Sequence, residues 1–183
     1  MEQWLRKWQD VTLHKGHLDI CREEAENSRA NGLKIGARGN QYAPEAFSQL
    51  DAHYIGALGE YATSIFTGYP DHFFEDYVPG RADVGLIEVR TRSVGKEPIL
   101  RIYEKDPHPF TVLAVVKTLT DEGAVVRLCG WVFTQIGWSY GTKVGQHWKK
   151  GVEYQLSENF VRPMGTLLKH HKEAEAFYEF QSR

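Results

Sequence analysis

Residues 82–92 read ADVGLIEVRTR, and this stretch decides the fold because it sets charged side chains into an apolar strand. The run 86–91 is rich in branched apolar residues, which is typical of a β-strand. Side chains alternate between the two faces of a strand, so Glu88 and Arg90 are expected on one face and Val89 on the buried one. A charged pair therefore shares one face of an otherwise apolar element.

Asp83 opens the same stretch, but strict alternation puts it out of phase with Glu88. It can join Glu88 only if Gly85 or its neighbours form a turn or a bulge. Carboxylates that converge in this way suit Mg²⁺ or Mn²⁺, which prefer oxygen ligands. A second interpretation stays open, in which Glu88 and Arg90 are neighbouring surface charges on a half-exposed strand.

An amphipathic helix is predicted just upstream, over residues 44–66, because apolar side chains recur there at spacings of three and four. Gly56 and Gly59 lie inside it, and each costs roughly 1 kcal/mol relative to alanine. We therefore expect them to allow close packing against a sheet. Glu60 lies beside that contact and is the natural third carboxylate, with a place on the polar face of the helix as the alternative.

The rest of the chain predicts a sheet between helices. Polar helices are expected at 18–31 and 165–181, and the residues 121–123 indicate a hairpin between two Val-rich runs. The strand-like runs are 72–77, 86–91, 99–103, 111–117 and 124–133. This order predicts an α/β or α+β fold, with a central mixed five-stranded sheet flanked by helices.

Length and composition favour one domain of 183 residues, since 42% are hydrophobic and 25% are charged. We expect an N-terminal helical and loop extension over 1–43, a core over 44–135, and a C-terminal loop and helix over 136–183. The net charge of −2 does not indicate a polyanion binder, but a local basic groove is compatible with it.

The two cysteines, Cys21 and Cys129, lie far apart with no CxxC pair, so we expect reduced thiols. The N-terminus has no apolar leader, and no stretch approaches the roughly 18 apolar residues that span a bilayer. A cytoplasmic location without a membrane partner follows as an expectation. Motifs for acyl transfer, nucleotide hydrolysis and dinucleotide binding are absent from the sequence.

Two segments together resemble a known superfamily. GALGEYATSIF (56–66) followed by ADVGLIEVRTR (82–92) is similar to the helix and strand motifs of the PD-(D/E)XK nuclease-like proteins, especially small phage or prophage members. Later pieces, LRIYEKD, FTVLAVV, LCGWVF and FVRPM, follow the same order, so the likeness extends over about 53–167. The resemblance implies a restriction-endonuclease-like core and metal-dependent hydrolysis of phosphodiester bonds in DNA, in the host cytoplasm if the protein is phage encoded.

The resemblance also assigns roles. Glu60 matches the helix acid, Asp83 the motif aspartate and Glu88 the motif acid, and these three carboxylates would hold Mg²⁺ or Mn²⁺. Arg90 stands where the superfamily normally has lysine. Arginine stays protonated and cannot act as a base, although it can stabilise developing charge on a phosphate. A catalytically weak or inactive protein that binds nucleic acid or a host protein is therefore the alternative.

Further cations near these motifs are candidates for phosphate contacts. They are Arg81, Arg92, Lys96, Arg101 and Lys149. Each has a second interpretation as a solvated surface charge. The sequence leaves open whether the nucleic acid is DNA or RNA, whether attack is internal or from an end, and what the oligomeric state is, a homodimer included.

Overall fold

The computed structural model describes residues 8–34, 49–69, 71–73, 75, 81–147 and 151–181. In chain order its helices and strands are β1 (Gln9–His14), α1 (Lys15–Lys34), α2 (Gln49–Thr67), β2 (Ile87–Arg92), β3 (Ile99–Tyr103), β4 (Phe110–Leu119), β5 (Gly123–Phe133), α3 (Thr134–Tyr140), β6 (Thr142–His147), β7 (Gly151–Ser157) and α4 (Leu167–Gln181). This is a mixed α+β protein.

The main sheet has the strand order β1-β5-β4-β2. β4 and β5 form an antiparallel hairpin whose turn is closed by the Thr120 amide donating to the Gly123 carbonyl at 2.9 Å. β2 lies parallel to β4 at the edge, with Glu88 opposite Thr111 and Arg90 opposite Leu113. The mixed character of the sheet and the hairpin near residues 121–123 are confirmed.

The number of strands differs from the expectation, since the main sheet has four strands and not five among the described residues. β3 leaves it and pairs with β7 in a second antiparallel sheet of order β3-β7-β6. Leu100 and Ile102 on β3 are fully buried against the main sheet. β3 therefore buries its apolar side chains by packing on the face of the main sheet and not by joining it as a fifth strand. Of the predicted strand 72–77, the described residues 72, 73 and 75 are not in a strand, and the others lie outside the described part.

Two apolar layers enclose the main sheet. Its first face packs against the helices, with Leu58 of α2 and Ile87 and Val89 of β2 in one cluster. Its other face packs against β3 and β7, with Leu113 and Leu100 in a second cluster. Because β2 is the edge strand, residues from both faces can meet around its outer edge.

The predicted helices are present. The amphipathic helix spans Gln49–Thr67, and residues 44–48 lie outside the described part. The other two predicted helices span Lys15–Lys34 and Leu167–Gln181. Gly59 makes the close packing that the sequence predicted, since an added Cβ would lie 1.9 Å from Thr91 Oγ1 on β2. Gly56 does not, because the nearest atom to an added Cβ is Glu60 Oε1 at 3.6 Å.

Cys21 and Cys129 are buried and unpaired, as expected. Burial raises the pKa of the Cys21 thiol to about 12 and that of Cys129 to about 11. Within the described ranges, no helix combines the length and the apolar character that a bilayer crossing requires.

Candidate functional site

A tight turn brings Asp83 back onto β2. Val84 and Ile87 exchange two backbone hydrogen bonds of 3.0 and 2.8 Å, and Gly85 between them has a φ of 56°. Only glycine adopts that backbone conformation without strain. The Asp83 carboxylate then accepts the Val89 amide at 2.7 Å on the outer edge of the strand. The turn that the sequence required at Gly85 is therefore present.

A pocket of about 370 Å³ follows this outer edge from α2 to β3. Its charged lining residues are Glu60, Asp83, Arg90, Arg92 and Arg101. They come from one helix, one turn and two strands that belong to different sheets. Five of the residues that the sequence proposed thus share one pocket.

Glu88 is not one of the lining residues. It is buried, and its carboxylate pairs with Arg90 Nη1 at 2.5 Å and with His108 Nε2 at 3.4 Å. Glu88 and Arg90 do share a face of the strand, as alternation predicted. Only the longer arginine reaches the pocket around the strand edge.

Arg90 connects the pocket to a second buried acid that the sequence analysis missed. Its Nη2 donates to Asp106 Oδ2 at 2.9 Å, and the same oxygen accepts the Tyr103 amide at 2.9 Å. Burial opposes the charge on the guanidinium, but Glu88, Asp106 and Asp83 outweigh it and raise the pKa of Arg90. Asp106 lies in the LRIYEKD segment, at the end of a strand where functional side chains often occur, and that position is the signal that would have found it.

Glu60 carries the strongest electrostatic conflict in the pocket. Removal from water, followed by the negative charges of Asp83 and Glu88, raises the pKa of Glu60 well above its ordinary value. Among the described residues, no cation forms an ion pair with it. A carboxylate in such a position is stabilised either by a proton or by a cation that enters the pocket.

The side chains present fit an oxygen-preferring cation held by few protein ligands. In the part of the chain that the structure describes, no three His, Cys, Asp or Glu side chains form a ready-made metal-binding group. Mg²⁺, however, is usually bound by one or two carboxylates together with waters and substrate phosphates. Glu60 and Asp83 are the carboxylates that line the pocket, whereas Glu88 is engaged by Arg90.

The remaining predicted cations separate into two groups. Arg92 and Arg101 line the pocket. Arg81 instead contacts Glu75 and His72, and the exposed Lys96 is not among the pocket residues. Lys149 lies outside the described residues.

The turn that carries Asp83 is held from behind by His171 of α4. The fully buried His171 ring accepts the Leu86 amide through Nε2 at 3.1 Å and stacks on Tyr69 with ring centroids 3.9 Å apart. Tyr69 in turn donates to Glu175 at 3.0 Å, and Glu175 lies 3.5 Å from His171 Nδ1. An accepting Nε2 requires the neutral ring. Burial lowers the pKa of His171, and this outweighs the opposite effect of the Glu175 carboxylate.

Replacing His171 with glutamine is therefore expected to lower the free energy of unfolding by about 2 kcal/mol at pH 8. A histidine whose folded pKa is lowered contributes stability that is complete above the unfolded value, about 6.5, and is lost as pH falls through the folded value. The difference in the free energy of unfolding between wild type and variant should become smaller as pH falls from 8 to 5. Urea unfolding at both pH values measures it, with the exposed His14→Gln as the control. An equal gap at both pH values would contradict the neutral, accepting ring.

Comparison of the chain with protein-family models, with curated proteins and with solved structures finds no match.

Proposed function

We propose that this protein is a divalent-metal-dependent nuclease that hydrolyses phosphodiester bonds in DNA. The observation that carries the proposal is the pocket at the open edge of β2, which joins Glu60 and Asp83 to Arg90. Two acids next to a permanently charged guanidinium match the needs of a reaction that binds a cation and builds negative charge on phosphate. The same proposal includes a restriction-endonuclease-like arrangement of the core and action in the cytoplasm.

Each side chain has a separate task in this proposal. Glu60 and Asp83 would hold Mg²⁺ or Mn²⁺, with Glu88 supporting them from behind the strand. Arg90 stabilises the charge that develops on the phosphate, and it cannot remove a proton because its pKa is raised. Asp106 and Glu88 fix the orientation of its guanidinium, since they hold two of its nitrogens at 2.9 and 2.5 Å.

The metal supplies an activated water and polarises the phosphate oxygens when it is bound. The chain itself contributes a pocket that is partly screened from solvent by β3, where charges act more strongly than in water. Val89 donates its amide to Asp83 Oδ2 at 2.7 Å, so the backbone of β2 holds the carboxylate against the edge of the strand. The acids are thereby positioned before any substrate arrives.

The proposal is tested by incubating the purified protein with linear, circular and branched DNA in Mg²⁺ or Mn²⁺. We expect cleavage that EDTA stops, and that Asp83→Asn lowers roughly 100-fold. Asparagine keeps an oxygen for the Val89 amide, so the turn should stay closed while the ligand charge is lost. The exposed Asp51→Asn on α2 is the control. Cleavage that continues unchanged in Asp83→Asn would contradict the assignment.

A second candidate is a nuclease-like protein that binds nucleic acid without cutting it. The observation that favours it is that Arg90 already pairs with Glu88 and Asp106, at a position where the resemblance to the superfamily would imply a lysine. Salt-dependent DNA binding with no metal-stimulated cleavage would select this candidate. Absence of both binding and cleavage would favour a protein partner.

A further inference from the structure

Arg92 stands out among the basic side chains of the pocket because its charge is left unmatched. Its Nε is buried without a hydrogen-bond partner, as is Nε of Arg90, but the terminal nitrogens of Arg90 are held in ion pairs. Within the described ranges, no carboxylate forms an ion pair with it, whereas Arg90 holds two acids and Arg101 holds Glu153 at 3.4 Å. A buried donor without an acceptor is costly, so such a group is a candidate position for an ordered water or a ligand.

Arg101 lies close enough to Arg92 to affect its ionisation. Burial lowers the pKa of Arg92, and the charge of Arg101 lowers it further, against a weaker opposite effect of Glu153. Two guanidinium groups that repel each other across a pocket gain stability when an anion binds between them. The pocket therefore divides into an acidic part at Glu60 and Asp83 and a basic part at Arg92 and Arg101.

We propose that Arg92 and Arg101 form a binding site for one phosphate group of a nucleic-acid backbone, next to the acidic part of the pocket. Guanidinium nitrogens present a planar fork that matches two phosphate oxygens. When a backbone phosphate of the nucleic acid binds at this site, the nucleic-acid chain can continue towards the carboxylates. A neighbouring phosphodiester would then lie over Glu60 and Asp83. The choice of nucleic acid as the ligand rests on the proposed function, but binding at this site does not require hydrolysis.

The test measures binding in EDTA, where cleavage cannot occur. A fluorescently labelled single-stranded DNA oligonucleotide is titrated by anisotropy at several salt concentrations, and Arg92→Gln is compared with wild type. We expect the dissociation constant to rise about tenfold and the salt dependence to fall by about one phosphate contact. Arg92→Lys, which keeps the charge and loses the fork, should fall between them. Inorganic phosphate and a mononucleotide should compete only at far higher concentrations than the oligonucleotide.

The matched control is Arg22→Gln, which removes the same charge from an ion pair with Asp19 on α1. Its oligonucleotide binding should equal that of wild type. Circular dichroism of both variants establishes that they are folded. Equal binding by folded Arg92→Gln, Arg22→Gln and wild type would overturn the site, as would competition by inorganic phosphate that is as strong as by the oligonucleotide. If the wild type cleaves DNA and Arg92→Gln binds the oligonucleotide as tightly as wild type, only the phosphate site is rejected. If Arg92→Gln weakens binding as expected but the wild type does not cleave DNA, only the nuclease proposal is rejected.

Discussion

Replacing Glu60 with glutamine is expected to lower DNA cleavage roughly 100-fold and, at the same time, to make the protein harder to unfold. Both effects have one cause. Burial and then the negative charges of Asp83 and Glu88 raise the pKa of the half-buried Glu60, so the charge that would hold a metal destabilises the folded protein when no cation is bound. A variant that loses activity because it is damaged would instead unfold more easily.

The pH dependence of this gain follows from the sign of the shift. A carboxyl whose folded pKa is raised contributes stability that is complete below the unfolded value, about 4.3, and lost as pH rises through the folded value. Glutamine carries no charge at any pH, so Glu60→Gln keeps the stability that wild type loses as pH rises. The increase in the free energy of unfolding should be largest at pH 8, about 1 kcal/mol, and should become smaller towards pH 4. Urea unfolding at several pH values measures the gain.

The control for Glu60→Gln is Glu26→Gln, which changes an exposed glutamate on α1. It should alter neither cleavage nor unfolding by more than the roughly 0.5 kcal/mol typical of surface substitutions. A Glu60→Gln variant that is less stable than wild type at pH 8 would show that the carboxylate is matched by a permanent partner. In that event Glu60 would be a structural residue and not a metal ligand.

Gly59→Ala is expected to produce the largest loss of stability, about 3 kcal/mol, in a position that also controls the site. An added Cβ would lie 1.9 Å from Oγ1, 2.9 Å from Cγ2 and 3.0 Å from Cβ of Thr91. The helix would have to move away from β2, and Glu60, the next residue, would move with it. Cleavage should therefore fall along with the midpoint of urea unfolding.

The same helix provides a matched control for that prediction. Gly56→Ala places its Cβ 3.6 Å from Glu60 Oε1, an ordinary contact, and should be neutral or stabilise by up to about 1 kcal/mol. Thr91→Ala removes the two closest atoms, so it should restore part of the stability that Gly59→Ala loses. Equal stabilities of Gly59→Ala and Gly56→Ala would contradict the close packing of α2 on β2.

Much of the local structure could be predicted from sequence because it depends on neighbouring residues. Helical spacing predicts α2, the branched residues predict β2, and the phase difference between Asp83 and Glu88 predicts a turn at Gly85. Which sheet a strand joins depends instead on distant partners. β3 has the same apolar character as a strand of the main sheet, yet it pairs with β7, fifty or more positions later.

Two edge strands that the sequence did not predict, β1 and β6, are hidden by their composition. β1 reads QDVTLH and buries fully only Leu13, so its polar residues indicated a segment outside the sheet, although β1 pairs with β5 along its whole length. The polar sequence of β6, TKVGQH, indicates irregular chain for the same reason. Strands at a sheet edge need little apolar surface, and sequence patterns detect them poorly.

Two of the three predicted acids, Glu60 and Asp83, line the candidate pocket, whereas the pairing of Arg90 with Asp106 was not predicted. Alternation correctly puts Glu88 and Arg90 on one face, but it does not reveal that Arg90 is held between Glu88 and Asp106, sixteen positions further along. That pairing decides which charges face the pocket. Glu88 becomes a support behind β2, and the carboxylates left to line the pocket are Glu60 and Asp83.

The most direct measurement of the central claim is a crystal soaked in MnCl₂, with anomalous scattering recorded near the manganese edge. We expect one strong peak in the pocket, about 2.1 Å from carboxylate oxygens of Glu60 and Asp83, and we expect it to be lost in Glu60→Gln and Asp83→Asn crystals. A pocket that stays empty at saturating Mn²⁺, or a peak at other residues that survives both substitutions, would contradict it.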